Sequence, residues 1–164
     1  RAGCRAPPAR RVSAMSYAID VGVLLHASDE TSPHMQRAAS FLASRAAARE
    51  VCCVAWTTVM GYLRLATHAA VFAEPLTPQE AMANIEALLR LPQVRLLAEE
   101  EGFWDVYRGV TGRLPVRGHL VPDAHLAALL RQHGVTTLYT DNKDFLKFEF
   151  LRVRNPFEDA ALDS

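Results

Sequence analysis

Four aspartates carry the chemistry that this sequence offers: Asp20, Asp123, Asp141 and Asp144. Asp20 closes the apolar run SYAI and stands directly before a second one, GVLLHA. Asp123 follows Pro122 at the head of the helix-like stretch PDAHLAALLRQHG, and Asp141 and Asp144 lie in YTDNKDF, straight after the strand-like VTTLY. With ordinary pKa values of about 4, all four are ionised at neutral pH. Carboxylates packed together repel one another unless a cation sits between them. Mg²⁺ takes oxygen ligands and keeps several waters, so a few carboxylates distant in sequence but convergent in space suffice to hold it. Local alternatives stand beside this reading. Asp123 can be a helix N-cap, and a polar cluster such as TDNKD can be a turn in which Asp and Asn bond their own backbone. Asp20, set between two apolar runs, needs a partner wherever it is buried.

The elements that must position these acids follow from periodicity. Strands are expected at 16–20, 51–56, 94–97, 135–139 and within 150–157, and helices at 22–27, 32–50, 57–72, 77–92, 99–113 and 122–134. The 32–50 helix has Ser32 as N-cap and Pro33 at its first position; Thr77 and Glu80 form a capping box, and Gly134 stops the 122–134 helix. Glu99 to Glu101 are read as structural, at the positive end of the 99–113 helix. Alternating strands and helices predict an α/β domain around a central, largely parallel sheet flanked by helices. In such sheets, sites gather outside the C-terminal strand ends. Asp20, Asp141 and Asp144 fall there directly. Asp123 joins them if the first turn of its helix rises at that edge.

Composition narrows the classes. The chain has 164 residues, half of them apolar, which suits one domain with its own core. No apolar run reaches the roughly 18 residues of a membrane span. Cys4, Cys52 and Cys53 form neither a disulfide framework nor a zinc pattern, which fits a reducing cytoplasm. The formal charge is zero, but Arg1, Arg5, Arg10 and Arg11 lie in a Pro-rich segment without an acid. Residues 1–14 are therefore read as a disordered or non-native extension with Met15 as the start, and residues 15–164 as the domain. Without those four arginines the 18 acidic residues outnumber the basic ones by four. Binding of nucleic acid by charge alone is not expected of such a body, and any chemistry on nucleic acid needs metal ions. The histidines His26, His119, His125 and His133 lie in no recognisable metal or nucleophile pattern, and Trp56 and Trp104 are read as packing residues.

SYAIDVGVLLHA, WTTVMGYLRLATH, GHLVPDAHLAALLRQHG and TDNKDFLKF followed by LRVRNPF, in that order and spacing, resemble the PIN-domain ribonucleases of the VapC toxin family from about residue 16 to 157. The resemblance implies a three-layer PIN-like fold and a Mg²⁺- or Mn²⁺-dependent endoribonuclease. It further implies the toxin of a type II toxin–antitoxin pair, inhibited by a VapB-like antitoxin and homodimeric. It matches Asp20 to the family's first acid and Asp123 to its DAH aspartate, the two assigned to the metal. Asp144, helped by Asp141, would complete the catalytic set by holding the ion or orienting the attacking water. Arg113, Arg117, His119 and Lys143 are candidate phosphate contacts by their proximity in sequence to the acids.

Three departures stand out. Gly22 replaces a common Asn, Val59, Met60 and Gly61 stand where many members carry a Glu, and Asp141-Asn142 inverts the usual Asn-Asp order. These departures favour a second reading, a PIN-like module that binds antitoxin or RNA without turnover. A phosphatase-like enzyme would need Asp-x-Asp after the first strand, where this chain has Asp20-Val21-Gly22.

Overall fold

Short runs of β-branched and apolar residues bounded by polar turns form five strands. In the computed structural model, which describes residues 15–158, these are β1 (Ser16–Ile19), β2 (Val51–Ala55), β3 (Val94–Leu97), β4 (Thr137–Tyr139) and β5 (Arg152–Arg154). Between them lie α1 (Val21–Ser28), α2 (Met35–Ala47), α3 (Trp56–Ala66), α4 (Pro78–Leu89), α5 (Phe103–Thr111) and α6 (Leu120–His133). A short 3-10 helix covers Lys143–Lys147. The expected extension at 1–14 and the last six residues, 159–164, fall outside the described residues.

All strand pairs are parallel and the order is β3-β2-β1-β4-β5. Alternation along each strand splits the core into two layers. Tyr17, Ile19, Cys52 and Val54 face α1 to α4, and Ala18, Cys53, Ala55 and Leu138 face α5 and α6. The adjacent cysteines thus point to opposite faces, as expected, and both are free and buried. The result is the expected helix–sheet–helix architecture. Chain order reverses across the β1/β4 pair, and the crevice at their C-terminal ends is where such sheets hold ligands. Asp20 and Thr140 sit at those two ends, joined by the Asp20 N–H donating to the Tyr139 carbonyl at 3.0 Å.

Several boundaries differ from expectation. The helix expected at 32–50 starts at Met35, because the Ser32 hydroxyl serves the His34 N–H (3.1 Å) and the His26 ring (2.7 Å) ahead of the helix. The helix expected at 57–72 begins at Trp56 and ends at Ala66, where Thr67 bonds back to the Leu63 carbonyl at 2.7 Å and Leu76 N–H caps Ala66. Glu99 to Glu101 precede α5, whose N-cap is Gly102 at φ 81°; Glu99 pairs with His125 at 2.5 Å. Trp56 and Trp104 are exposed and form no part of the core. The Thr77–Glu80 capping box and the left-handed Gly134 stop (φ 72°) are found as expected. Among the described residues, no helix is long and apolar enough to cross a membrane.

Candidate active site: a carboxylate corner

Asp20 directly follows β1, and its carboxylate turns back to cap α1. Its Oδ1 accepts the Val21 N–H at 2.7 Å and its Oδ2 accepts the Thr140 hydroxyl at 2.8 Å. Thr140 is itself buried, at 1% exposure, and its oxygen also accepts the Asn142 N–H at 3.0 Å. The Asn142 amide then donates to Asp123 Oδ2 at 3.1 Å, while its carbonyl accepts the Asp144 N–H at 3.0 Å. One turn after β4 therefore clamps both aspartates, through Thr140 on Asp20 and through Asn142 on Asp123. This arrangement brings the first turn of α6 to the C-terminal edge of the sheet. Asp123 lies inside that turn and does not cap it; the N-cap position belongs to His119.

Burial pushes the Asp20 carboxyl above its ordinary range, against the Thr140 and Val21 hydrogen bonds, and the charges of Asp123 and Asp141 push it further up. Burial also raises Asp123, opposed by the Asn142 amide and reinforced by Asp144. Both acids thus sit where negative charge is unfavourable, a condition that a bound cation reverses. Among the described residues, no three His, Cys, Asp or Glu side chains converge closely enough to cage a metal ion alone. Two carboxylates, all-oxygen and mutually repelling, do fit a hard cation that keeps its waters.

The other two predicted acids flank this pair. Asp144 is held by Lys147 (2.5 Å) and faces His119 (3.6 Å), and the Lys147 hydrogen bond draws its pKa down. Asp141 is exposed and turns toward α1, where His26 Nε2 lies 3.2 Å from its Oδ2. Of the predicted phosphate contacts, His119 reaches Asp144, while Arg113, Arg117 and Lys143 are exposed and Arg113 lines a groove between α5 and α6. α3 contains no acidic residue.

Sequence reasoning missed four participants. Thr140 and Asn142 pass for turn residues, and the Lys147 contact needs the 3-10 helix that brings positions 144 and 147 together. His26 meets Asp141 across 115 positions, and no local pattern announces that pairing. His125 and His133 have structural roles, bonding Glu99 and the Ala98 carbonyl.

No family model matches the chain. It is 43% identical over 143 residues to ribonuclease VapC48 of Mycobacterium tuberculosis, an alignment spanning 87% of this chain and 99% of that protein. Among solved structures, VapBC2 from Rickettsia felis bound to a promoter DNA fragment superposes with a TM-score of 0.64 at 13% identity, covering 86% of this chain and 98% of that one. Mycobacterium tuberculosis VapC20, a sarcin-ricin loop cleaving toxin, superposes at 0.62 with 18% identity, covering 85% and 99%.

Proposed function

The chain belongs to the VapC ribonuclease family, and from that membership we propose that its carboxylate corner is the centre of a metal-dependent endoribonuclease. In this reading the protein is the toxin of a type II toxin–antitoxin pair, acts on RNA in the cytoplasm as a homodimer, and is silenced by a VapB-like antitoxin. The observation that carries the reading is the double clamp on Asp20 and Asp123 by Thr140 and Asn142, two residues of one turn. It fixes two partly buried acids whose negative charge is disfavoured by burial, a condition that a bound cation would relieve.

Asp20 and Asp123 would hold Mg²⁺ or Mn²⁺, which when bound lowers the pKa of a water and neutralises charge on the phosphate. Thr140 and Asn142 fix the oxygens of those two acids, so their geometry is set before substrate arrives. Asp144, drawn down by Lys147, stays ionised to orient the attacking water, and Lys147 and His119 beside it offer cationic or N–H contacts to the phosphodiester. A module that binds without turnover is favoured by the departures at Gly22 and Asp141-Asn142 and most directly by the absence of any acid from α3. Inducible expression in a bacterial host decides between them. Growth arrest with loss of intact RNA, abolished by Asp123→Asn, supports the nuclease; normal growth and intact RNA in the presence of abundant folded protein support the binding module.

A further inference from the structure

Asp141 lies over Gly22, two residues beyond Asp20. A Cβ placed on Gly22 would stand 2.9 Å from Asp141 Oδ1, so any other residue there would displace this carboxylate, the end of an exposed side chain, from the place it holds in the structure. The opposite oxygen, Oδ2, is fixed by His26 Nε2 at 3.2 Å. That ring is oriented in turn: the His34 N–H donates to Ser32 Oγ (3.1 Å), and Ser32 Oγ lies 2.7 Å from His26 Nδ1. A neutral ring accepting from Ser32 at Nδ1 carries its proton on Nε2, aimed at Asp141.

Charge shows what the arrangement supplies. Asp144, on the far side of the corner, is compensated by Lys147 at 2.5 Å. Position 142, which reaches Asp123, carries a neutral amide. On the Asp20 side, Asp141 adds a second carboxylate to that of Asp123, placed by its position over Gly22, two residues beyond Asp20.

We infer that Gly22 and Asp141 work as one unit: the absent side chain at 22 opens the space that the Asp141 carboxylate fills, and His26 holds it beside Asp20 to strengthen cation binding there. His26 is a positioning residue, acting through Asp141. The inference rests on the reading of the corner as a divalent-cation site.

Calorimetric titration of the full chain with Mn²⁺ tests both, with thermal unfolding of each variant to confirm that it folds. Asp20→Asn tests the parent reading and is expected to abolish binding. Asp141→Asn and Gly22→Ala are each expected to weaken Mn²⁺ by about tenfold, the scale of residues that support metal ligands. The double variant should be no weaker than Asp141→Asn alone, because the two changes disable one unit. His26→Ala should weaken binding comparably, and His26→Gln, which keeps an N–H donor, should recover part of it. Wild-type affinity in Asp141→Asn, or losses that multiply in the double variant, would overturn the inference while leaving the parent reading intact. No Mn²⁺ binding by the wild type, or binding that survives Asp20→Asn, would overturn the parent reading and the inference with it.

Discussion

Replacing Thr140 by valine removes one hydroxyl from the corner and almost no volume. In the structure that hydroxyl donates to Asp20 Oδ2 at 2.8 Å and accepts the Asn142 N–H at 3.0 Å, at a position 1% exposed. The first bond is charge-assisted and worth about 1.5–3 kcal/mol, and the second about 1 kcal/mol. Valine should therefore destabilise the protein by about 2–4 kcal/mol, and at about 2–4 °C per kcal/mol for a chain of this size the melting temperature should fall by roughly 5–15 °C. The loss should depend on pH. Thr140 stabilises the charged form of Asp20, so its removal raises a carboxyl that burial already holds above its ordinary range. The deficit is complete where Asp20 is ionised in the wild type, and it shrinks as pH falls through the raised pKa and Asp20 takes up a proton in the folded state. Thermal unfolding followed by circular dichroism between pH 5 and pH 8 in EDTA measures both effects. A fall of less than about 2 °C at pH 8, or a deficit that grows toward acid, would refute the clamp as the support of Asp20.

Asp20→Asn should raise thermal stability in EDTA at neutral pH. A carboxyl whose folded pKa is raised costs stability above that pKa, so the advantage of the amide should close as pH falls through it. The same variant should lose the increase in melting temperature that Mn²⁺ gives the wild type. Asn142→Asp should act in the opposite sense: it places a carboxylate where an amide now donates to Asp123. It should lower the melting temperature in EDTA and tighten Mn²⁺ binding in calorimetry, since the added charge is unfavourable only without the cation. Gly134→Ala should cost about 1 kcal/mol, because φ 72° at the end of α6 suits glycine, and denaturant unfolding should show it without a change in Mn²⁺ affinity.

The legible parts of the fold were those specified by neighbouring residues. A strand ending in Asp20 ahead of an apolar helix, the Thr77–Glu80 box and the Gly134 stop all depend on contacts within a few positions. Parallel strands alternating with helices then place strand ends together, which is why Asp20 and the turn after β4 were expected at one edge. What stayed hidden depends on distant partners. Ser32 carries an N-cap residue type, yet its hydroxyl is committed to His34 and His26, and the helix begins three residues later. Trp56 and Trp104 read as packing residues in sequence, although both side chains are exposed on α3 and α5. The inverted Asp141-Asn142 pair looked like a defect in sequence. In space Asn142 reaches Asp123 and Asp141 lies over Gly22, so two of the departures meet at one place in the fold.

Cleavage of RNA by the purified chain, free of antitoxin, tests the central claim most directly. Mixed structured RNAs would be incubated in Mg²⁺, Mn²⁺ or EDTA, with Asp20→Asn and Asp123→Asn in parallel. Cleavage that requires the divalent ion and disappears in both variants is the expected result. Cleavage that persists in EDTA, or that survives either substitution, would contradict a nuclease centred on these two clamped aspartates.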